Sequence, residues 1–281
     1  MNRHLVQRLG FAFLGLCTLV VVVPILVVVV AIVVKGSGVI NWEFLTGVPR
    51  EGMKAGGILP AIVGTLLLLL GTALAAIPVG VGGAIYLSEY ARDTWLTRSI
   101  RLAIVNLAAI PSVVYGLFGL ALFVLFLHFG SSILAGSLTL AIMTLPIIVS
   151  TAEEALRAVP AEFRMVNASL GGTRWQGIQR IITPQALPGI ITGVILGLLR
   201  ASGETAPILF TVAVFYLPHL PKSPFDPTMA LPYHLFVIST QVPGMPLEMQ
   251  YGTALVLLAL VLSMNLVAAT IRSYFRGRRQ W

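Results

Sequence analysis

The stretch Leu199-Arg200-Ala201-Ser202-Gly203-Glu204-Thr205-Ala206-Pro207 sets two opposite charges inside an apolar segment. That segment runs from Ile190 up to the pair and resumes from Ile208 to Phe215. If it crosses a bilayer, the pair falls near the middle. An ionisable side chain there costs at least a few kcal/mol, and such groups mark a transport path or a buried pair. The four-residue spacing puts both side chains on one face of a continuous helix, able to meet each other or a passing ion.

Composition supplies the membrane. Hydrophobic residues make up 57% and charged residues 10%, with mean hydropathy +0.95, against roughly 45–50% and about 25% in soluble domains. Continuous apolar runs such as Val20–Val34 suit spanning helices of ~20 residues. They do not suit the short alternating segments of a membrane barrel. The expected fold is all-α and polytopic. The single Cys17 excludes an internal disulfide and a cysteine metal site. Phe11 to Val34 outruns the ~7–15 apolar residues of a secretory signal and ends at Lys35-Gly36-Ser37 without an Ala-x-Ala site, so it reads as an uncleaved first helix.

Breaking the chain at charged and Pro/Gly clusters predicts six transmembrane helices over about 9–34, 58–87, 101–127, 134–157, 186–215 and 251–274, the second kinking or ending near Pro78. Basic residues then sort by side. Arg3, Arg8, Arg92, Arg98, Arg101, Arg157, Arg164, Arg174, Arg180, Arg272, Arg276, Arg278 and Arg279 fall on one, and Lys35, Arg50, Lys54 and Lys222 on the other. Thirteen against four, with Arg200 within the membrane, accounts for all 18 and predicts that both termini are cytoplasmic. The net charge of +8 then lies wholly on the cytoplasmic side, where topology and anionic lipid explain it without nucleic acid.

Three connections stand out. Residues 36–57 carry Trp42 and Phe44 on the outer side. Residues 216–250 are Pro-rich and include Tyr233-His234-Leu235-Phe236-Val237-Ile238, expected as an interfacial helix. The only long cytoplasmic loop is about 158–185, read as a short helix, a Gly turn and a second amphipathic helix. That would form a knob with Phe163, Met165 and Trp175 as packing anchors for a partner's groove, or merely a connector lying in the interface.

Here a family resemblance enters. Gly171, nine residues, Ile181 and then Pro184 resemble the coupling motif of ABC importer permeases. Arg200-Ala-Ser-Gly203-Glu204-Thr205-Ala206-Pro207 is similar to the signature of the phosphate importer permeases. Gly56-Gly57-Ile58-Leu59-Pro60-Ala61-Ile62, Ala84 through Tyr90, Ile110 through Gly119 and Leu145-Pro146-Ile147-Ile148 resemble blocks of their PstA-type subunit. Met165-Val166-Asn167 departs from the family's Glu-Ala-Ala, and Thr183 from its Leu. The expected acid is therefore absent, with Glu162 one turn earlier.

The resemblance implies a type I ABC importer permease (MetI-like) fold. It assigns residues 1–57 to the first helix and outer loop, 58–275 to the permease core with its coupling loop at about 158–185, and 276–281 to a cytoplasmic tail. It further implies a PstC-like permease partner, two PstB-like ATPase subunits that use ATP and Mg, and a PstS-like phosphate-binding protein outside a bacterial inner membrane. This chain itself would bind no cofactor or metal and would not be an enzyme. It has no Gly-x4-Gly-Lys-Ser/Thr sequence for ATP. The implied site residues are Arg200, Glu204 and Thr205 for the pathway, and Glu162, Phe163, Met165, Gly171 and Trp175 for coupling.

Three readings of Arg200 and Glu204 stay open: a structural ion pair, a phosphate contact by Arg200 tuned by Glu204, or a gate. Of the remaining polar residues, Glu153 and Glu154 read as solvated charge at a helix end, and His128 has nothing at ligand spacing. Asn106, Ser112 and Tyr115 line a polar path or form packing hydrogen bonds. The alternatives to a phosphate permease are a permease for another oxyanion or small solute, or a polytopic membrane enzyme. The enzyme would need a nucleophile–base or metal constellation, which His128, His219 and His234 do not form with acids.

Overall fold

The structure is a computed structural model that describes residues 3–169 and 171–276. Residues 277–281, with Arg278 and Arg279 and nearly all of the expected tail, lie outside the described residues, as does Leu170. A 34-residue helix α1 (Arg3–Gly36) leads into the short α2 (Trp42–Thr46), capped where the Asn41 side chain accepts the Phe44 N–H at 2.7 Å. A small hairpin, β1 (Pro49–Arg50) against β2 (Ala55–Gly56), pairs Pro49 with Gly56. Then come α3 (Leu59–Ile85), which ends in a π turn over Tyr86–Tyr90, and α4 (Trp95–Ala108). Next are α5 (Ser112–Gly119), extended by a π segment to Phe126, and α6 (Ile133–Arg157).

After α6, α7 (Ala161–Ser169) and α8 (Arg174–Gly177) form the knob, and a π turn over Ile178–Ile182 joins α8 to α9 (Thr183–Ser202). The chain closes with α10 (Ala206–Thr211), α11 (Leu231–Thr240) and α12 (Leu247–Arg276). Among the described residues five helices are long and apolar enough to cross a membrane, and six crossings result if α4 with α5 is counted as one bent span. The chain is a multi-pass membrane protein.

At the centre, α6 packs along both α3 and α9. Two apolar clusters hold its ends. At the cap end, Phe44, Met53, Leu68, Leu140, Met229, Leu231 and Val237 gather beneath the hairpin. At the knob end, Leu87, Val149, Leu156, Val159, Ile178 and Ile182 gather between the α3 terminus and the knob. Helix α1 packs mainly on α12 and leaves its Val/Leu-rich faces open. Such a face suits lipid or another chain, since an all-round apolar helix is normally covered.

Four expectations change. The third helix is not a single rod: α4 and α5 meet at 103° across Ala109–Pro111. Pro111 lacks an N–H and disfavours helical backbone at Ile110. The fifth span breaks after Ser202 and its last helical turn ends at Thr211, short of 215. The helix around Tyr233–Ile238 exists but is packed into the bundle rather than laid on its surface; Leu231, Tyr233, His234, Val237 and Ile238 are buried, and the Leu231 N–H donates to Thr65 Oγ1 of α3 at 2.8 Å. The second helix passes through Pro78 to Ile85 rather than ending there.

Candidate translocation and coupling sites

The first candidate is the break itself. Helix α9 closes with the Ser202 hydroxyl donating to the Leu199 carbonyl at 2.7 Å, and the Glu204 N–H reaches the Ala201 carbonyl at 3.3 Å. Gly203 and Pro207 explain the stop. Glycine weakens the turn, and proline is favoured at the start of a new helix rather than inside one. Thr205 is the N-cap of α10, and its carbonyl accepts the Leu209 N–H at 2.9 Å. Arg200 and Glu204 therefore do not share the face of one continuous helix. Arg200 sits in the last turn of α9, where the helix dipole favours a cation. Glu204 lies in the unwound link.

They still meet, with Arg200 Nε 3.7 Å from Glu204 Oε1, and the side chains are 33% and 18% exposed. That is long for a charge-assisted hydrogen bond. Opposite the break stands α5. A Cβ added to Gly116 would fall 2.7 Å from Phe210 Cδ2 and 3.0 Å from the Ala206 carbonyl oxygen, so α5 and α10 touch through glycine. The Tyr115 hydroxyl donates to the Leu107 carbonyl at 2.8 Å and fastens the α4–α5 bend. Of the three residues read as path lining or packing, Tyr115 is thus a fastener, while Asn106 is exposed and Ser112 half-buried.

The second candidate is the knob. Gly171 holds φ at +69°, the left-handed turn that glycine adopts freely. Asn167 pins the turn: its side-chain amide donates to the carbonyls of Gly172 at 3.3 Å and Thr173 at 3.1 Å, and its own carbonyl accepts the Gly172 N–H. Thr173 and Gln176 then form a reciprocal capping box that starts α8. Glu162, Met165, Val166 and Trp175 are exposed on the surface of the knob. Phe163, expected among the outward anchors, is half-buried against the knob-end cluster. The expected loop of 158–185 is also shorter, because a continuous helix begins at Arg174 and runs to Ser202. The knob's second half is the start of the helix that carries Arg200.

Buried polar groups behind the knob were not legible in advance. Glu89, 6% exposed, accepts Arg164 Nε at 3.2 Å and NH2 at 2.8 Å. Glu153, expected in solvent, is buried and takes Arg101 at 2.8 Å and Arg157 at 2.9 Å. Arg101 also donates to the Leu87 carbonyl at 2.8 Å, inside the π turn of α3. Charge at a helix end was the visible signal; its partners lie 75 and 52 residues away in sequence. A cavity of about 370 Å³, lined in part by Glu89, Arg164, Asn167 and Arg174, separates the knob from α3, and the Arg174 guanidinium lies 5.1 Å from the Tyr90 ring centroid. At the surface nearby, Asp93 receives two hydrogen bonds from Arg98, at 2.9 and 2.7 Å, which hold its carboxyl below the usual range.

Comparison with known proteins fits this arrangement. The chain is 32% identical over 281 residues to the probable ABC transporter permease protein YqgI of Bacillus subtilis, covering 95% of each. It is 33% identical to the phosphate transport system permease protein PstA 2 of Mycobacterium bovis, covering 100% of this chain and 91% of that one. A crystal structure of a bacterial ABC transporter involved in alginate import superposes with a TM-score of 0.65 at 13% identity, over 97% of this chain and 96% of that one, which speaks for the fold alone. The family model described as binding-protein-dependent transport system inner membrane component matches residues 76–280, from mid-α3 through the knob, the break and α12. The chain belongs to that family of membrane transport components.

Proposed function

We propose that this chain is the permease subunit of an ATP-driven inorganic phosphate importer and forms half of its pathway. The observation that carries the reading is the coincidence of two features on one helix. The exposed knob opens it at Arg174, and the half-open Arg200–Glu204 pair closes it at the break. A relative aligned over this chain's whole length is named for phosphate transport.

In this reading the knob end faces the cytoplasm, as the distribution of arginine requires, and both termini lie there. A homologous PstC-like permease completes the pathway, PstB-like ATPases seat on Met165, Val166 and Trp175, and a PstS-like protein delivers phosphate to the cap end. ATP and Mg belong to the ATPases. Residues 58–275 form the core, with 1–57 and 276–281 as its additions. Arg200 carries one weak partner, so its planar fork can turn to two oxygens of an oxyanion. Glu204 and Thr205 edge the same opening. Glu204 would draw the guanidinium back after the anion passes.

Labelled phosphate uptake by the reconstituted four-part assembly tests the reading, with sulfate and molybdate as competitors. Uptake that needs ATP and resists both competitors is expected. Uptake abolished by sulfate or molybdate would point to a permease for another oxyanion, and an assembly that binds no ATPase would overturn the importer.

A further inference from the structure

Arg164 commits all three of its guanidinium nitrogens. Nε and NH2 grip the two oxygens of Glu89, NH1 donates to the Val159 carbonyl at 2.6 Å, and NH2 also reaches the Leu156 carbonyl at 3.0 Å. The two carbonyls belong to the end of α6 and the turn after it; Glu89 belongs to the end of α3; Arg164 itself belongs to the knob helix α7. One side chain thus fixes three elements. The backbone joins the knob only to α6 and α9, so α3 would otherwise meet it through the Arg174 guanidinium over the Tyr90 ring, a single face contact, and through the apolar knob-end cluster that holds Leu87 and Ile178. Apolar contact is non-directional and permits sliding. A bidentate fork sets distance and angle together. Two π turns, Tyr86–Tyr90 and Ile178–Ile182, flank this joint, and such turns recur at functional sites. Beyond it, Arg101 ties the same α3 turn to Glu153 of α6.

We propose that Arg164 is a positioning residue for transport: through Glu89 it makes α3 move with the coupling knob, so that the knob drives three helices rather than two. The proposal rests on the reading of the chain as an ATP-driven importer permease. α3 packs on α6 and α9, and a knob displacement that carries all three reshapes the walls on either side of the break. A lysine at 164 supplies one nitrogen and cannot reproduce the two-nitrogen grip that fixes the carboxylate's distance and angle together.

The test uses the complete reconstituted assembly and reads phosphate moved per ATP hydrolysed, alongside the yield of assembled complex. Wild-type protein that fails to move phosphate with ATP would dispose of the importer reading itself, before any variant is compared. Glu89→Gln and Arg164→Lys should bind the ATPases and hydrolyse ATP at near wild-type rate while the transport ratio falls roughly tenfold, within the usual span of coupling free energies. Arg164→Gln should fall further than Arg164→Lys. Arg180→Gln removes a cation from the exposed side of the π turn and should leave the ratio unchanged. A wild-type ratio in Glu89→Gln and Arg164→Lys overturns the proposal. So does a loss confined to assembly in both, since the joint would then serve folding alone.

Discussion

Two of the arginine–glutamate pairs on this chain, Arg164 with Glu89 and Arg200 with Glu204, are built to opposite specifications. At the knob end, Arg164 and Glu89 meet through two hydrogen bonds with a carboxylate 6% exposed, and two carbonyls take two of the three N–H groups left, so every guanidinium nitrogen is engaged. At the break, Arg200 and Glu204 make one 3.7 Å contact; the two arginine side chains are about equally exposed, and the carboxylate here is 18% exposed. The first pair joins residues far apart in sequence, so it can fix tertiary geometry. The second joins near neighbours across an unwound link and fixes little beyond that link. Saturation marks a joint meant to hold. An arginine with most of its donors open is poised for an outside partner.

The largest effect should come from breaking the held pair outright. Glu89→Ala leaves Arg164 with half its partners and should cost about 3 kcal/mol, the low end for an orphaned buried charge because Arg164 retains some exposure. Thermal unfolding of the purified chain in detergent would show it, and an unchanged midpoint would remove the contrast between the pairs. Next, Gly116→Leu should cost about 2 kcal/mol by wedging α5 away from α10, with uptake lost. A stable, active variant would mean that the geometry of the break does not depend on that contact. Smaller in stability is Arg200→Lys. A partly exposed contact of 3.7 Å, too long for a good hydrogen bond, contributes below about 1 kcal/mol, so the unfolding midpoint should hold while uptake falls roughly tenfold, the scale of one lost charge-assisted hydrogen bond. Equal losses of stability in Glu89→Ala and Arg200→Lys would collapse the comparison.

The smallest effect concerns a pair made with backbone. The Asp226 carboxylate accepts the N–H groups of Lys222 at 2.8 Å and Ser223 at 2.9 Å, and these hold its pKa below the ordinary carboxylate range. A depressed folded value means that the contribution is complete above the unfolded pKa and is lost as pH falls through the folded one. Asp226→Asn should therefore match the wild type in strongly acidic solution and fall slightly below it near neutrality. The Asp226 and Pro224 carbonyls accept the Ile133 and Leu134 N–H groups at the start of α6, so amide exchange there reads the effect. A pH-independent difference would assign it to packing.

How much of this was written in the chain order depends on the kind of interaction. Apolar runs declare spans because burying them needs only length and composition, and α3, α6 and α12 fall close to their expected places. Breaks are harder, since Ile110-Pro111 sits among residues as apolar as any span, and the short polar stretch around Gly203 lies between apolar runs that read as one. The proline and glycine were visible, yet their effect depends on whether α5 and α10 have each other to pack against. The helix at Leu231–Thr240 reads as amphipathic surface, but Thr65 on α3 accepts its first N–H and the bundle buries its Leu231, Tyr233, His234, Val237 and Ile238 side, leaving Phe236 exposed. The knob was legible in outline from Gly171 and the spacing to Pro184. Its supports were not: Asn167 stands in a departure from the family motif, and the acid that anchors Arg164 comes from the other end of a different helix.

The unbroken run from Arg174 to Ser202 makes part of this chain length-locked. Each residue added between Trp175 and Arg200 would advance the arginine by about 1.5 Å and swing it by about 100° around the helix, away from Glu204 and the opening beside α5. Deleting one would swing it the opposite way. The Pro-rich segment between α10 and α11 carries no such helical phase; it is held by separate backbone contacts, such as those of Pro224 and Asp226 with the start of α6. In the proposed importer, the spacing of Trp175 from Arg200 would therefore itself be open to selection, as much as either side chain.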